Sequence, residues 1–211
     1  MIISQSHEKI SLVVGTIARG GVIAFRTDTF YGLGADPFNA AAVQRVKDLK
    51  GREGNKPILV LISGVEQLGR LIDNRSAAFD ELARKFWPGP LTIIGKATDH
   101  LPSELTAGTK SVGVRVPDDE RVCALVRACG GALTATSANP SGVPAARSAA
   151  EALKYFGEGV DLIVDGGATK RDQPSTVVDT TSDNEVKLIR EGGIPWDEIQ
   201  VALQGGKWHG L

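Results

Sequence analysis

One stretch, residues 57–62 (PILVLI), constrains the fold more than any other. It contains no polar residue, so as a β-strand it has to be covered on both faces. An amphipathic helix is predicted before it, because Val43, Val46 and Leu49 form an apolar stripe behind Asn39, a residue type that caps helices. A buried strand beside amphipathic helices is typical of the α/β class, and 211 residues are enough to bury such a core.

The same patterns predict alternating strands and helices along the rest of the chain. Apolar runs predict further strands at 22–25, 91–95, 112–116, 133–136, 162–164, 176–178 and 186–189. Helices are expected at 10–17, 39–49, 65–72, 76–86, 118–128 and 148–155, with a last one beginning near Trp196. The expected helix N-caps are Ser6, Asn39, Asp118 or Asp119, Ser148 (in a capping box with Glu151) and Asp197. Residues 100–110 are polar and are predicted to form a surface loop. Because several strands follow one another without a helix between them, we expect a mixed sheet rather than a purely parallel one.

The loop at 26–34 (RTDTFYGLG) follows the strand predicted at 22–25 and is a candidate ligand site. Its threonines, aspartate and tyrosine offer many hydrogen-bonding groups, and its glycines let the backbone come close to a bound molecule. In α/β sheets, ligands usually bind at strand ends. The composition of the loop is equally compatible with a tight turn stabilised by a Thr-Asp cap.

Three further stretches carry cations, small hydroxyls or amides near the ends of predicted elements. They are 50–57 with Lys50, Arg52 and Lys56, then 137–142 (SANPSG), and 175–179 (STVVD) with 190–192. Each has an ordinary structural interpretation: a basic helix end, an Asn-Pro-Ser-Gly turn and the β-propensity of threonine. Arg115 and Arg190 are stronger candidates for ligand contacts, because each ends an apolar strand.

Composition argues against several classes of site. The three histidines are scattered, which disfavours a protein metal cage and a histidine-based catalytic triad. The chain has no Walker-type phosphate loop, and no third glycine completes a dinucleotide motif after Gly32 and Gly34. A formal net charge of −1 is not typical of a nucleic-acid-binding protein, although a local basic patch is compatible with it.

The two cysteines are expected to be reduced structural thiols. Because no signal-peptide or membrane-span pattern occurs, we expect a cytoplasmic location and no membrane partner.

In this order and at this spacing, the four motif-bearing stretches resemble the threonylcarbamoyl-AMP synthase family, which has the YrdC-like fold. The resemblance runs from about Gly20 to Ile194. It implies an α/β, three-layer fold with a strongly twisted mixed parallel/antiparallel sheet and a concave ligand cleft. It also implies one domain over residues 1–211, the short form of the family, with a core at about 8–195 and a flexible tail at 205–211.

The resemblance further implies a nucleotidyltransferase. Members of the family make L-threonylcarbamoyladenylate and pyrophosphate from L-threonine, bicarbonate and ATP, and the product serves modification of the adenosine next to the anticodon of tRNA. Mg²⁺ would be carried with ATP, its ligands being mainly phosphate oxygens and water. The downstream partners would be tRNA threonylcarbamoyl-transfer proteins.

The family's functional residues can be carried over by position. Threonine contacts would be Thr29, Arg115, Ser137 and Ser175. ATP contacts would be Arg52, Lys56, Ser111, Asn139 and Arg190, with Arg147 the weakest match. Lys50 and Arg52 would position bicarbonate or the phosphates. No residue is expected to be a dedicated nucleophile or general base, because positioning and charge neutralisation suffice for the reaction.

Two residues depart from the family pattern. Arg26 stands where proline is usual, and its charge is expected to hold a phosphate or carboxylate, or to pair with Asp28. Glu191 stands where proline is common, and its charge is expected near the nucleotide.

Two other functions fit the same fold. A non-catalytic module could bind tRNA or double-stranded RNA on its concave face, which the near-neutral net charge disfavours. Carbamoyl transfer, as in hydrogenase-maturation proteins, is disfavoured because those proteins are far longer and have cysteine-rich zinc modules, whereas this chain has two cysteines.

Overall fold

The computed structural model describes residues 1–5, 9–51, 57–169, 171–182 and 184–205. In this part of the chain the strands are β1 (Ile2–Ser4), β2 (Ile23–Arg26), β3 (Tyr31–Gly34), β4 (Val60–Ile62), β5 (Leu91–Lys96), β6 (Ser111–Arg115), β7 (Ala132–Thr134), β8 (Thr136–Ser137), β9 (Leu162–Asp165), β10 (Thr176–Asp179) and β11 (Lys187–Arg190). The α-helices there are α1 (Ile10–Ala18), α2 (Ala40–Leu49), α3 (Ala77–Phe86), α4 (Ser103–Thr106), α5 (Glu120–Ala128), α6 (Ala149–Phe156) and α7 (Trp196–Gly205). The predictions for Ser6, Arg52, Lys56 and the tail from residue 206 lie outside the described residues.

The strands form two mixed sheets. The first has the order β1-β9-β2-β3-β8, in which β9 pairs parallel with β1 and β2, while β3 pairs antiparallel with β2 and β8. The second has the order β11-β10-β5-β6-β4-β7, with parallel pairs β10–β5 and β6–β4 among antiparallel ones. The predicted α/β fold with mixed strand directions is confirmed, and the strands expected in one twisted sheet are divided between two.

The strand predicted at 133–136 passes from one sheet to the other. Its first part is β7 in the six-stranded sheet, and its second part is β8 in the five-stranded sheet. Ala135 lies between them, and its N–H bonds the carbonyl of Leu59 at 2.8 Å. A strand that changes sheets makes a corner where two sheets meet. The chain therefore brings the two sheets together at residues 134–137, beside the candidate site.

Helix caps follow the sequence closely. The side chains of Asn39, Ser76 and Ser148 each accept the backbone N–H three residues later, and Asp119 rather than Asp118 caps α5. The reciprocal bond of the predicted capping box is shifted by one residue, since the Glu151 carboxylate accepts the N–H of Arg147. Caps are predictable because they depend on neighbouring residues only.

The predicted surface loop at 100–110 is wrong in part, because it contains α4. Leu105 in this helix is fully buried, and its carbonyl accepts the N–H of Ile58 at 3.0 Å. Leu101, two residues before α4 begins, is 8% exposed. Burial of these two apolar side chains is enough to anchor a polar segment onto the core.

No helix in the described ranges is both long and apolar enough to cross a membrane.

Candidate functional site

The loop predicted at 26–34 is shorter in the structure, because Arg26 ends β2 and residues 31–34 form β3. The two strands pair as an antiparallel hairpin that leaves residues 27–30 as its turn. Gly34 lies against Phe25, so that a Cβ there would come within 2.7 Å of the Phe25 ring. Glycine at this position is thus required by packing within the hairpin.

Thr27 holds the turn in shape. Its hydroxyl donates to the carbonyl of Phe30 at 2.7 Å and accepts the N–H of Thr29 at 3.2 Å. The hydroxyls of Thr27 and Thr29 lie 3.1 Å apart. These bonds direct a pair of hydroxyls toward the space between the two sheets.

Tyr31 fixes the other side of the hairpin. Its phenol oxygen lies 2.8 Å from the Gly167 carbonyl and 3.2 Å from Asp165 Oδ1, and it accepts the N–H of Gly166. Burial, with the adjacent Asp165 charge adding to it, raises the pKa of Tyr31 to about 12. Tyr31 therefore stays neutral and acts as a structural hydrogen-bonding group.

Arg115 lies at the end of β6 and is paired with Asp28 from the hairpin turn. Arg115 Nη1 lies 2.7 Å and 2.8 Å from the two carboxylate oxygens of Asp28. Both side chains are nearly inaccessible, with 2% and 3% of their surface exposed. The pair joins a turn of the first sheet to a strand of the second.

Lys50, at the C-terminal end of α2, is directed at the segment 137–139. Its Nζ donates to the carbonyl of Ser137 at 2.5 Å and to Asn139 Oδ1 at 3.1 Å. The ammonium is 3.3 Å from the Ser137 hydroxyl. Lys50 thus ties together two of the predicted motifs, and it does so while buried.

Ser175 connects Arg190 to the second sheet. Arg190 Nη2 donates to the carbonyl of Ser175 at 2.9 Å, and the Ser175 hydroxyl lies 2.9 Å from that of Thr92. Burial and the nearby positive charge of Arg115 lower the pKa of Arg190. The two guanidinium groups therefore lie close enough to repel each other.

A cavity of about 590 Å³ lies between the two sheets. Five of the predicted site residues lie in its wall: Thr29, Arg115, Ser137, Ser175 and Arg190. All four predicted threonine contacts are thus brought together, although they come from segments up to about 150 residues apart in the printed sequence.

The other predicted residues are placed differently. Asn139 and Lys50 lie behind Ser137 and hold one another. Ser111 is hydrogen-bonded to Thr109, and Arg147 pairs with Asp172. Within the described ranges, none of these four residues is part of the cavity wall.

Some residues at the site were not among those carried over from the family. Thr27 and Asp28 were considered only as members of the predicted loop, and Thr92 lies in the cavity wall on β5. A threonine within the apolar run of β5 was a usable signal, because polar side chains in buried strands need hydrogen-bonding partners.

Arg26 does not pair with Asp28 or face the cavity. Its Nη1 lies 2.7 Å from Asp119 Oδ2, and its Nε donates to the carbonyl of Ala168. Asp28 is unavailable because Arg115 binds both of its oxygens. The extra cation therefore connects β2 to the N-terminus of α5.

Glu191 caps a helix. Its Oε2 accepts the N–H of Trp196, the first residue of α7. Asp197, the expected cap, lies inside the first turn instead. A carboxylate at this position satisfies a free N–H and favours the helix dipole.

Comparisons with known proteins agree with the resemblance seen in the motifs. A family model described as "Telomere recombination", for the Sua5, YciO and YrdC proteins, matches residues 15–192. A threonylcarbamoyl-AMP synthase of Thiobacillus denitrificans is 42% identical over 163 residues, which is 77% of this chain and 86% of that protein. One from Pyrococcus abyssi is 38% identical over 92% of this chain, and the chain spans 57% of the length of that relative.

Solved structures show the same architecture. Sua5 of P. abyssi complexed with L-threonine has a TM-score of 0.91 and 35% identity, over 96% of this chain and 61% of that chain. Escherichia coli YciO has a TM-score of 0.79 and 28% identity, over 92% of this chain and 96% of that chain. A phosphate- and nucleotide-bound HypF structure, 19% identical over 87% of this chain and 29% of that chain, has a TM-score of 0.74 and shares the fold alone. Matched by the family model over most of its length and by relatives at these identities, this chain belongs to the Sua5/YciO/YrdC family.

Proposed function

We propose that the protein is an L-threonylcarbamoyladenylate synthase. It would join L-threonine, bicarbonate and ATP, release pyrophosphate and supply the adenylate for tRNA modification. The observation that carries this proposal is the convergence of Thr29, Arg115, Ser137, Ser175 and Arg190 on one cavity. Relatives that bear the synthase name at 34–42% identity support it, as does the threonine complex of a relative.

The charge of the cavity fits anionic substrates. The guanidinium groups of Arg115 and Arg190 face it, and Asp28 offsets only one of these two charges. The carboxylate of an amino acid and the phosphates of a nucleotide are the anions that guanidinium groups bind best. Among the described residues the cavity thus has one excess positive charge, which lowers the cost of bringing two anions together.

The size and lining of the cavity fit a small-molecule site. A volume of about 590 Å³ lies inside the usual range for such sites, roughly 300–1,000 Å³. Phe30, Ile58 and Val177 provide apolar surface, while Ser137 and Thr29 provide neutral hydrogen bonds. A small number of polar groups placed on apolar walls holds a ligand in one orientation.

The proposed reaction needs two bond-forming steps. The amine of threonine forms a C–N bond with bicarbonate, with loss of water, to give a carbamate. A carbamate oxygen then attacks the α-phosphorus of ATP, and the bond to the pyrophosphate oxygen breaks. The arginines and hydroxyls of the cavity would hold the reactants in line, a contribution that can supply much of the rate enhancement.

Magnesium would enter as part of the ATP substrate. Asp28, the carboxylate that lies at the site, has both oxygens bound by Arg115. Within the described ranges, no group of three or more His, Cys, Asp or Glu residues could hold a metal ion. Phosphate oxygens and water would therefore supply most ligands, which is the usual way Mg²⁺ accompanies a nucleotide.

Lys50 has a supporting role in this proposal. Since its ammonium binds Ser137 and Asn139, it would position their side chains for the substrates. Arg52 and Lys56 remain proposed phosphate contacts on the strength of the family motif. The proposed downstream partners are tRNA threonylcarbamoyl-transfer proteins, and the proposed location is the cytoplasm. The RNA-binding alternative is not favoured, because the relatives are named as synthases.

The test is pyrophosphate release from labelled ATP in the presence of bicarbonate, with and without L-threonine. Pyrophosphate release that depends on threonine is expected. Equal release with and without threonine, or no release in either case, contradicts the proposal. Arg190→Ala should raise the KM for ATP by on the order of 10-fold or more, the value of one charge-assisted bond. Arg84→Ala is the matched control, because that arginine is exposed on α3 and pairs with Glu81.

A further inference from the structure

The buried pair Asp28–Arg115 uses the guanidinium group in an unusual way. Both carboxylate oxygens of Asp28 contact the same nitrogen, Nη1, at 2.7 Å and 2.8 Å. Within the described part of the chain, the hydrogen bonds of the Arg115 side chain all go through this nitrogen. In a common arrangement, two guanidinium nitrogens each donate one hydrogen bond to a different carboxylate oxygen, and the two bonds are parallel. Asp28 and Arg115 do not form this arrangement.

The opposite edge of the guanidinium, made of Nε and Nη2, is therefore left for another partner. Arg115 Nε is buried and has no hydrogen-bonding partner among the residues that the structure describes. A buried donor of this kind is rare and costly, and it calls for an explanation such as a ligand that completes it. The Nε–Nη2 edge has two parallel N–H groups, which match the two oxygens of a carboxylate.

Asp28 also determines where this edge lies. Its Oδ2 accepts the N–H of Asp118 at 3.4 Å, so that one carboxylate contacts both β6 and the connection to α5. The side chains of the pair are 2% and 3% exposed, which leaves the guanidinium little freedom to rotate. Arg115 is part of the cavity wall, whereas Asp28 is not.

We propose that Asp28 is a positioning residue for the amino-acid site: it holds Arg115 by Nη1 and so presents the Nε–Nη2 edge to the carboxylate of the bound amino acid. This inference rests on the proposed function, because it requires an amino-acid substrate. Asparagine in place of Asp28 offers one oxygen and puts an NH₂ group against the guanidinium. The edge would then no longer be held in place.

The experiment compares the binding of L-threonine and of L-threoninol, which lacks the carboxylate, by calorimetry. In the unaltered protein, threonine should bind more tightly than threoninol. Asp28→Asn should weaken threonine binding by on the order of 10- to 100-fold, the loss of one charge-assisted bond or more. Threoninol binding should change little, so the ratio of the two affinities should fall toward one, while the affinity for ATP is retained.

Asp119→Asn is the matched control. Asp119 pairs with Arg26 at 2.7 Å, and the pair is also largely buried, with 8% and 17% of the side-chain surfaces exposed. Asparagine keeps the helix cap of α5, and neither residue of this pair lines the cavity. The control should therefore lose stability but keep the threonine-to-threoninol ratio. An unchanged ratio in Asp28→Asn would overturn the inference.

A second measurement needs no change to Asp28. In the unaltered protein, the ¹⁵N–H signal of Arg115 Nε, assigned with Arg115→Lys, should shift on saturation with threonine and not with threoninol. If threonine binds but the signal stays in place, the role of the Nε–Nη2 edge is overturned and the proposed function is not. Absence of threonine binding to the unaltered protein, even with ATP present, would overturn the proposed function and this inference together.

Discussion

Thr176 on β10 should be one of the most sensitive polar residues of the fold. It is fully buried, and its hydroxyl donates to the Ile194 carbonyl at 2.6 Å while accepting the N–H groups of Gly192 and Ile194. These three bonds attach the segment that follows Arg190 to the second sheet. Thr176→Val keeps the volume of the side chain and removes all three bonds.

The expected cost follows from the groups left behind. The N–H of Gly192 is only partly buried and can bind water, whereas Ile194 is 7% exposed, so its N–H and carbonyl stay without partners. Two buried unpaired groups cost about 2–5 kcal/mol together. For a chain of this length, such a loss lowers Tm by roughly 5–20 °C.

Urea denaturation followed by circular dichroism measures this difference, with Thr16→Val as control. Thr16 is also largely buried, but its hydroxyl makes one bond, to the carbonyl of Leu12 within α1. Such local bonds contribute little, so the control should lose less than about 1 kcal/mol. If both variants lose the same free energy of unfolding, the attachment of residues 192–194 by Thr176 is refuted.

Three further predictions concern backbone space, a bridging lysine and a half-buried thiol. Gly192→Ala should strongly lower the free energy of unfolding, because a Cβ there would lie 2.3 Å from the Pro174 carbonyl. Gly69→Ala is the control, since a Cβ at Gly69 meets open space and should not lower the free energy of unfolding. Chemical denaturation that ranks the two variants otherwise contradicts the packing. Lys50→Met removes the ammonium that holds Asn139, so amide hydrogen exchange at Asn139 should speed up, and unchanged exchange would exclude this support. Burial raises the pKa of Cys129 to about 11, so in Cys123→Ala alkylation at pH 8 should be on the order of 100-fold slower in the folded than in the unfolded protein. Because of the same raised pKa, the contribution of the Cys129 thiol to stability is complete below about pH 8.5 and is lost as pH rises toward 11. The urea midpoint should therefore fall with pH over this range, and Cys129→Ala should remove this fall.

Local elements were predictable because their causes are local. The stripe behind Asn39 gave the bounds of α2 to within a residue, and the hydroxyl of Ser148 caps α6 as expected. Prediction was wrong where burial overrode composition, as in α4, where Leu105 draws a polar segment into the core. It was also incomplete at 132–137, since nothing in a short apolar run indicates that β7 and β8 join different sheets.

The sequence by itself determined the α/β class, the caps of α2, α5 and α6 and, through the order of its motifs, which residues to look for at the site. Only the tertiary structure decided their partners: Arg115 binds Asp28, Arg26 binds Asp119, and Lys50 binds the 137–139 segment. A helix or a cap depends on residues within a turn or two, whereas an ion pair depends on which distant strands pack together. Asp28 and Arg115 are 87 residues apart, and it is the meeting of the two sheets that brings these two side chains into contact.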